Sequence, residues 1–156
     1  MNDNQLRCWL AQAGFAVSDV LRADINRTIS NETTPLMHAA RLGDRAAVDA
    51  LLANDADPTL MNSDNNGALW FACFANSEEC AAALIRAGAA LDSQNVNGAT
   101  ALIYCASAGK TPLVQLLLEA GANPDLLTLD DFSALELASN RDCMKLLKAV
   151  RRDTKI

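Results

Sequence analysis

A 33-residue period constrains this sequence more than any other feature. The segment from Thr34 to Asp57 recurs in register 33 residues later and again after another 33. The aligned positions keep their type, as the two series Leu36, Leu69, Leu102, Leu135 and Ala39, Ala72, Cys105, Ala138 show. A fixed period in this range is typical of repeat proteins, in which each unit buries its apolar face against its neighbours.

Each full repeat predicts a pair of antiparallel helices. Thr34 is a good helix N-cap because its hydroxyl can accept a hydrogen bond from a free backbone N–H, and Pro35 suits the first helical position. Gly43 is typical of the residue that ends a helix. The apolar residues between 47 and 52 then recur at helical spacing, which indicates a second helix. The same pattern predicts helix pairs at 68–75 with 80–86 and at 101–108 with 112–119.

Short polar segments lie between the predicted helix pairs. The segments 65–67 and 95–98 each end in Asn-Gly, and both residue types accept positive φ in a tight turn. We expect each segment to project as a hairpin-like finger. The Asn66-Gly67 pair comes two residues later in its repeat than Asn97-Gly98, so we expect the earlier finger to be displaced by about two residues.

Residues 29–150 resemble the ankyrin-repeat family. The resemblance depends on Thr34-Pro35-Leu36 with Ala39-Ala40 and Gly43, and on Gly98-Ala99-Thr100-Ala101-Leu102 with the run from Leu116 to Asn123. It implies an all-α solenoid of stacked helix–turn–helix repeats with finger loops and a concave binding face. The expected organisation is one domain over 1–156, with a degenerate N-terminal capping repeat at 1–28, full repeats at 29–61, 62–94 and 95–127, and a C-terminal capping repeat at 128–156 that is shortened by about three residues.

The charge is unevenly distributed along the chain. The net charge is −6, yet residues 141–156 contain six basic and two acidic residues, which leaves −10 in residues 1–140. An acidic body argues against broad nucleic-acid binding, which needs an electropositive face. No apolar run approaches the roughly 20 residues of a membrane span. We therefore expect a cytoplasmic protein, monomeric when unbound, that binds neither nucleic acid nor membrane.

The sequence offers no obvious catalytic, cofactor or metal site. The five cysteines include no Cys-x-x-Cys pair, and Cys73 and Cys105 occupy small-residue positions of the repeat, which indicates buried thiols in a reducing compartment. A single histidine, His38, cannot form a metal cluster, and we expect it to be partly buried in a helix. We predict that the chain is not an enzyme and needs no cofactor.

A binding surface is the function that remains. In the resembled family, partners meet the finger tips and the exposed end of the first helix of each repeat, and Phe74 is a large aromatic side chain at such a position. Whether Trp70 and Phe71 belong to the core or to the surface is left open. The predicted partner-binding residues are Arg41, Leu42, Asp64, Asn66, Trp70, Phe74, Asn97, Ser107, Asp130, Phe132 and Arg141. We expect a protein partner; the alternative is a dedicated inhibitor or antitoxin-like (immunity-type) blocker of an enzyme, and a remote alternative is an enzyme.

Overall fold

The computed structural model describes residues 1–18 and 21–153, and its regular secondary structure within these ranges is helical. The chain divides into two compact units, Met1–Ala90 and Leu91–Ile156. Within the described ranges, no helix combines the length and apolar character needed to cross a membrane. The side chains of Arg151 and Arg152 and the whole of Lys155, all part of the predicted basic tail, lie outside the described part.

The described part of the first unit contains six α-helices. Its two N-terminal helices lie within residues 1–28, and the next four form two helix pairs: α3 packs on α4, α5 packs on α6, and α3 also packs on α5. The helices are α1 (Asp3–Gln12), α2 (Leu21–Asp24), α3 (Pro35–Leu42), α4 (Arg45–Ala53), α5 (Ala68–Phe74) and α6 (Glu78–Arg86). The predicted helix pairs of the first unit are therefore confirmed.

Side-chain caps begin the helices where the sequence predicts them. The Thr34 hydroxyl accepts a hydrogen bond from the Met37 backbone N–H at 3.2 Å, and Pro35 is the first residue of α3. Gly43 ends α3 in the left-handed conformation at φ 67°, as a helix-terminating glycine is expected to do. The core of the unit lies between the helix pairs, where Leu36 and Leu51 are almost fully buried.

The second unit contains α7 (Ala101–Ser107), α8 (Thr111–Glu119), α9 (Ala134–Leu137) and α10 (Arg141–Asp153). The helix α7 packs on both α8 and α9, and α10 packs on α8. Asn140 begins α10, since its side chain accepts a hydrogen bond from the Cys143 N–H at 2.8 Å. An unbroken period from Lys110, which precedes α8, would place that cap at 143. The last helix therefore starts three residues earlier than an unbroken period would place it.

In the described residues, four finger loops recur at the same 33-residue step, and in each the backbone N–H of the first residue donates to the carbonyl of the fifth. The bonds join Ile29 to Thr33 in finger 1 (29–33), Asn62 to Asn66 in finger 2 (62–66), Asn95 to Ala99 in finger 3 (95–99), and Thr128 to Phe132 in finger 4 (128–132). The fourth residue of every finger has positive φ: Glu32 at 55°, Asn65 at 61°, Gly98 at 75° and Asp131 at 65°. Fingers 1 and 2 lie in the first unit, and fingers 3 and 4 in the second.

The prediction that finger 2 is displaced by two residues was wrong. In finger 2 the Asn65 N–H donates to the Asn62 carbonyl at 2.9 Å and closes the turn. The equivalent bond of finger 3, from the Gly98 N–H to the Asn95 carbonyl at 2.8 Å, lies at the same position of the repeat. Gly67 has φ −101° and precedes α5 as its N-cap, so the Asn66-Gly67 dipeptide does not form the turn. Asn tolerates the left-handed conformation, and Asn65 takes the position that Gly98 fills in finger 3.

Candidate functional site

A groove in the first unit brings together residues from two fingers and two helices. Its cavity volume is about 400 Å³. Fingers 1 and 2 form one side, and α3 and α5 form the other, because these two helices pack against each other. We call it the aromatic groove; it is lined by Ser30, Asn31, Thr33, Arg41, Asn62, Asp64, Asn66, Trp70, Phe71 and Phe74.

Three aromatic side chains of α5 line the helical side of the groove. The rings of Trp70 and Phe74 are stacked, with centroids 5.7 Å apart and planes at 14°. Phe71 meets Trp70 edge to face at 5.3 Å and is itself buried. Phe74 is 46% exposed although its ring is large and apolar. The stacking fixes the orientation of that exposed ring, since such pairs add to the stability gained by burial alone.

Arg41 of α3 lies beside the exposed aromatic ring. Its guanidinium carbon is 5.7 Å from the centroid of Phe74, which is within the range of a cation–π contact. Arg41 and Phe74 hold the same position in consecutive repeats, because they are 33 residues apart near the ends of α3 and α5. The groove therefore combines a fixed cation with an apolar surface.

The finger side of the groove is polar and held in place by hydrogen bonds. The side chain of Asn62 is buried, and its Oδ1 accepts from the backbone N–H groups of Asp64 and Asn66, both at 3.0 Å. The Asn31 Nδ2 donates to Asp64 Oδ2 at 3.2 Å, and the Ser63 N–H donates to the Asn31 carbonyl at 3.1 Å. These bonds fix the two fingers relative to each other before any partner arrives.

The side chain of Asn66 supplies an acceptor that the fold itself does not use. Its Oδ1 is buried and finds no hydrogen-bond donor in the described part of the chain. A buried polar atom without a partner is costly, so a donor that reaches it from a bound molecule would gain the full benefit of the hydrogen bond.

The structure brings together five of the predicted binding residues. Arg41, Asp64, Asn66, Trp70 and Phe74 all line the aromatic groove, and Trp70 is half-buried there. The open question about Trp70 and Phe71 therefore has a divided answer, since both rings line the groove while Phe71 is buried. Leu42 is exposed at the end of α3 but does not line the groove. The other predicted residues are exposed on the second unit: Asn97, Ser107, Asp130, Phe132 and Arg141.

Besides Phe71, the groove is lined by four residues that are not among the predicted partner-binding residues: Ser30, Asn31, Thr33 and Asn62. A usable signal existed for Asn62, because Asn95 occupies the same position one repeat later and its Oδ1 accepts from the same two backbone positions, Asn97 at 2.9 Å and Ala99 at 3.0 Å. An asparagine that recurs at the first position of a finger indicates a side chain that organises the turn. No comparable signal singles out Ser30.

The ionisable groups show no catalytic arrangement in the described residues. His38 is half-buried and meets Trp9 and Phe15 in edge-to-face contacts, with ring centroids 5.7 Å and 5.9 Å away. Burial lowers the pKa of His38 below its ordinary value of 6.5, and the charge of Arg41 lowers it further. Burial raises the pKa of the Cys80 thiol, which favours its unreactive protonated form. The described residues contain no group of three or more His, Cys, Asp or Glu side chains able to hold a metal ion.

Comparison with known proteins decides the family. A family model that describes ankyrin repeats in three copies matches residues 7–95 and 69–155. This chain belongs to the ankyrin-repeat family. The resemblance carried by the repeat motif is therefore confirmed, and so is the all-α architecture of paired helices. Ankyrin repeats are generally protein-interaction modules, and the family is typically non-catalytic.

Several curated ankyrin-repeat proteins are similar to this chain. It is 31% identical over 138 residues to the ankyrin repeat protein nuc-2 of Neurospora crassa, which aligns with 84% of this chain. It is 30% identical over 124 residues, 80% of its length, to the ankyrin repeat domain-containing protein SAT10 of Stachybotrys chartarum. It is also 38% identical over 80 residues, 47% of its length, to ankyrin repeat and SOCS box protein 3 of Bos taurus. These alignments cover only 13%, 6% and 15% of the three relatives.

Proposed function

We propose that this ankyrin-repeat chain is a non-catalytic protein-interaction module that binds a partner protein in the aromatic groove. The exposed ring of Phe74 carries this proposal. A stacked aromatic side chain that stays 46% exposed beside a cation is a surface suited to binding. Covering its exposed part would contribute about 2 kcal/mol to a complex.

The groove also defines what a partner segment should offer. An apolar side chain would cover Phe74, and an acidic group would reach Arg41. Binding energy in protein interfaces concentrates in a few Trp, Tyr and Arg side chains, and Trp70 and Arg41 are of that kind. A backbone or side-chain N–H group would satisfy Asn66 Oδ1.

Location and mode of action are part of the same proposal. In the described residues the five cysteines lie outside any disulfide, and four of them are buried, which supports a reducing compartment such as the cytoplasm. The inhibitor alternative stays a prediction. Blocking an enzyme would use the same groove, so no contact within the groove distinguishes an inhibitor from an interaction module.

The repeat itself supplies a suitable variant for the test. Ser107 holds the position of Phe74 one repeat later, so Phe74→Ser installs a residue that this helix end already accepts. The full chain is used as bait in affinity purification from its native cell, and captured proteins are identified by mass spectrometry. The matched control is Met144→Ser, which removes a comparably exposed apolar side chain from α10.

We expect to capture a partner protein that wild type and Met144→Ser both retain. The amount of this partner captured by Phe74→Ser and by Arg41→Ala should fall at least about tenfold. Far-UV circular dichroism of all variants should match wild type. A partner that binds Phe74→Ser as well as wild type would show that the groove is not the binding site.

A further inference from the structure

The finger tips differ in chemistry between the two units. The second residue is at the tip of the turn in fingers 2 to 4, where it is Ser63, Val96 and Leu129, and Ser30 holds the equivalent sequence position in finger 1. Val96 is 57% exposed and Leu129 is 75% exposed. An aliphatic side chain at one finger tip would need no explanation, but two at the same position of consecutive fingers form a recurring feature.

Fingers 3 and 4 are held side by side. The Leu129 N–H donates to the Asn97 carbonyl at 3.0 Å, and the Gln94 side chain reaches across to the Leu127 carbonyl at 2.8 Å. Gly98 makes this approach possible, because a Cβ there would be 2.7 Å from the Leu129 backbone nitrogen. The two apolar tips are therefore parts of one fixed surface.

Phe132, at the last position of finger 4, is a third exposed apolar side chain of these two fingers. Phe132 is 44% exposed. Its backbone N–H donates to the Thr128 hydroxyl at 3.2 Å, and this bond holds the end of the finger. We call Val96, Leu129 and Phe132 the finger-tip patch. Asp130 and Asp131 lie between Leu129 and Phe132 in the chain, and both are exposed.

The segment around the patch is strongly acidic. Residues 91–132 contain five acidic residues and one basic residue, Lys110. The Lys110 ammonium lies over the ring of Tyr104, 5.1 Å from its centroid. An exposed apolar surface bordered by carboxylates is complementary to apolar side chains that are bordered by cations.

We propose that the finger-tip patch binds a short protein segment in which aliphatic side chains are flanked by Lys or Arg. This inference rests on the proposed function, since it assumes that the chain binds protein, but it concerns a separate surface with its own partner chemistry. The aliphatic side chains cover Val96, Leu129 and Phe132. The Lys or Arg residues pair with Asp130 and Asp131 and speed the encounter at low salt.

Residues already present in other fingers supply the test variants. Val96→Ser with Leu129→Ser gives fingers 3 and 4 the serine that Ser30 and Ser63 supply at this position. Asp130→Asn reproduces Asn97. Asp131→Asn reproduces Asn65, which has nearly the same positive φ, so the backbone remains compatible. All these variants should keep the wild-type circular dichroism and thermal unfolding.

The probe is a displayed library of random short peptides selected on the full chain. Peptides retained by wild type are sequenced, and the strongest is synthesised and titrated by fluorescence anisotropy against wild type, the two double variants and Phe74→Ser. The inference expects peptides with adjacent aliphatic and basic residues. Their affinity should fall at least about tenfold in Val96→Ser/Leu129→Ser. It should fall about threefold to tenfold, with a weaker salt dependence, in Asp130→Asn/Asp131→Asn.

The outcomes separate this inference from the proposed function. Peptides that depend on Phe74 alone would overturn the finger-tip proposal and leave the aromatic groove in place. Enrichment of acidic or purely polar peptides would also overturn the finger-tip proposal, and so would binding that ignores both double variants. Sedimentation of the full chain gives the remaining result: self-association that Val96→Ser/Leu129→Ser abolishes would make a second copy the occupant and would contradict the separate partner proposed here.

Discussion

Gly98 offers the sharpest test of how the fingers of the second unit are held together. It is in the left-handed conformation at φ 75°, and a Cβ built on it would be 2.7 Å from the Leu129 nitrogen and 3.0 Å from the Thr128 carbonyl carbon. Gly98→Asn separates these two constraints, because Asn65 already adopts positive φ at the same position of finger 2. In Gly98→Asn, the close approach of finger 4 is therefore the remaining source of destabilisation.

The structure gives the size of the effect. Ordinary van der Waals contact begins at 3.4 Å, so finger 4 must move by about 0.7 Å to accept the new Cβ. That movement stretches the bond from the Leu129 N–H to the Asn97 carbonyl, now 3.0 Å, past the length of a hydrogen bond. Losing the bond costs about 1 kcal/mol, and the strained packing costs about 1–3 kcal/mol. We expect the free energy of unfolding to fall by about 2–4 kcal/mol, a shift of about 5–10 °C in Tm.

Gly43→Asn is the matched control for the backbone conformation. Gly43 has φ 67°, its added Cβ would meet only the Ser77 Cβ at 3.7 Å, and Asn76 occupies the equivalent position at φ 58°. We expect it to cost below about 1 kcal/mol. Urea and thermal unfolding measure both variants, and amide hydrogen exchange reports the Leu129 N–H directly. Equal destabilisation by the two variants, with unchanged protection at Leu129, would refute the close-approach argument.

Two further predictions concern the first unit. Replacing Asn62 by Ala should lower the free energy of unfolding by about 1–2 kcal/mol, because two backbone N–H groups lose their acceptor. The control Ser63→Ala, in the same finger, should change the free energy of unfolding by less than about 0.5 kcal/mol. Equal effects of the two variants in urea unfolding would contradict the role of Asn62. The pKa of His38 is lowered in the folded chain, so below pH 6.5 the unfolded chain binds more protons than the folded chain. The free energy of unfolding of wild type should therefore fall below pH 6.5 relative to that of His38→Gln. Above pH 6.5 wild type should keep its full stability. If the free energies of unfolding of the two proteins change in parallel with pH through this range, that linkage is disproved.

The helix pairs could be read from the sequence because their signals are local. Thr34 caps α3 through a hydrogen bond three residues away, and Gly43 ends the same helix through its own backbone freedom. The shortened last repeat was also visible, since a deletion changes the spacing directly. Such features depend on interactions within one turn of chain, and the period repeats them.

The finger register was misread because Asn-Gly is a strong hairpin signal that is local as well. In finger 2, the buried side chain of Asn62 organises the turn by accepting two backbone bonds, and Asn65 takes the left-handed position. Gly67 is then free to precede α5. The register therefore followed from a side-chain acceptor that the dipeptide signal does not include.

The sequence by itself determined the repeat, the family and the polar or apolar character of each exposed position. Only the tertiary structure decided which of those positions meet. Arg41 and Phe74 are 33 residues apart and come within 5.7 Å because α3 and α5 pack against each other. Similarly, Leu129 lies beside Asn97 because Gly98 leaves no Cβ between the two fingers. Convergence of this kind depends on packing between repeats, which the spacing within one repeat does not specify.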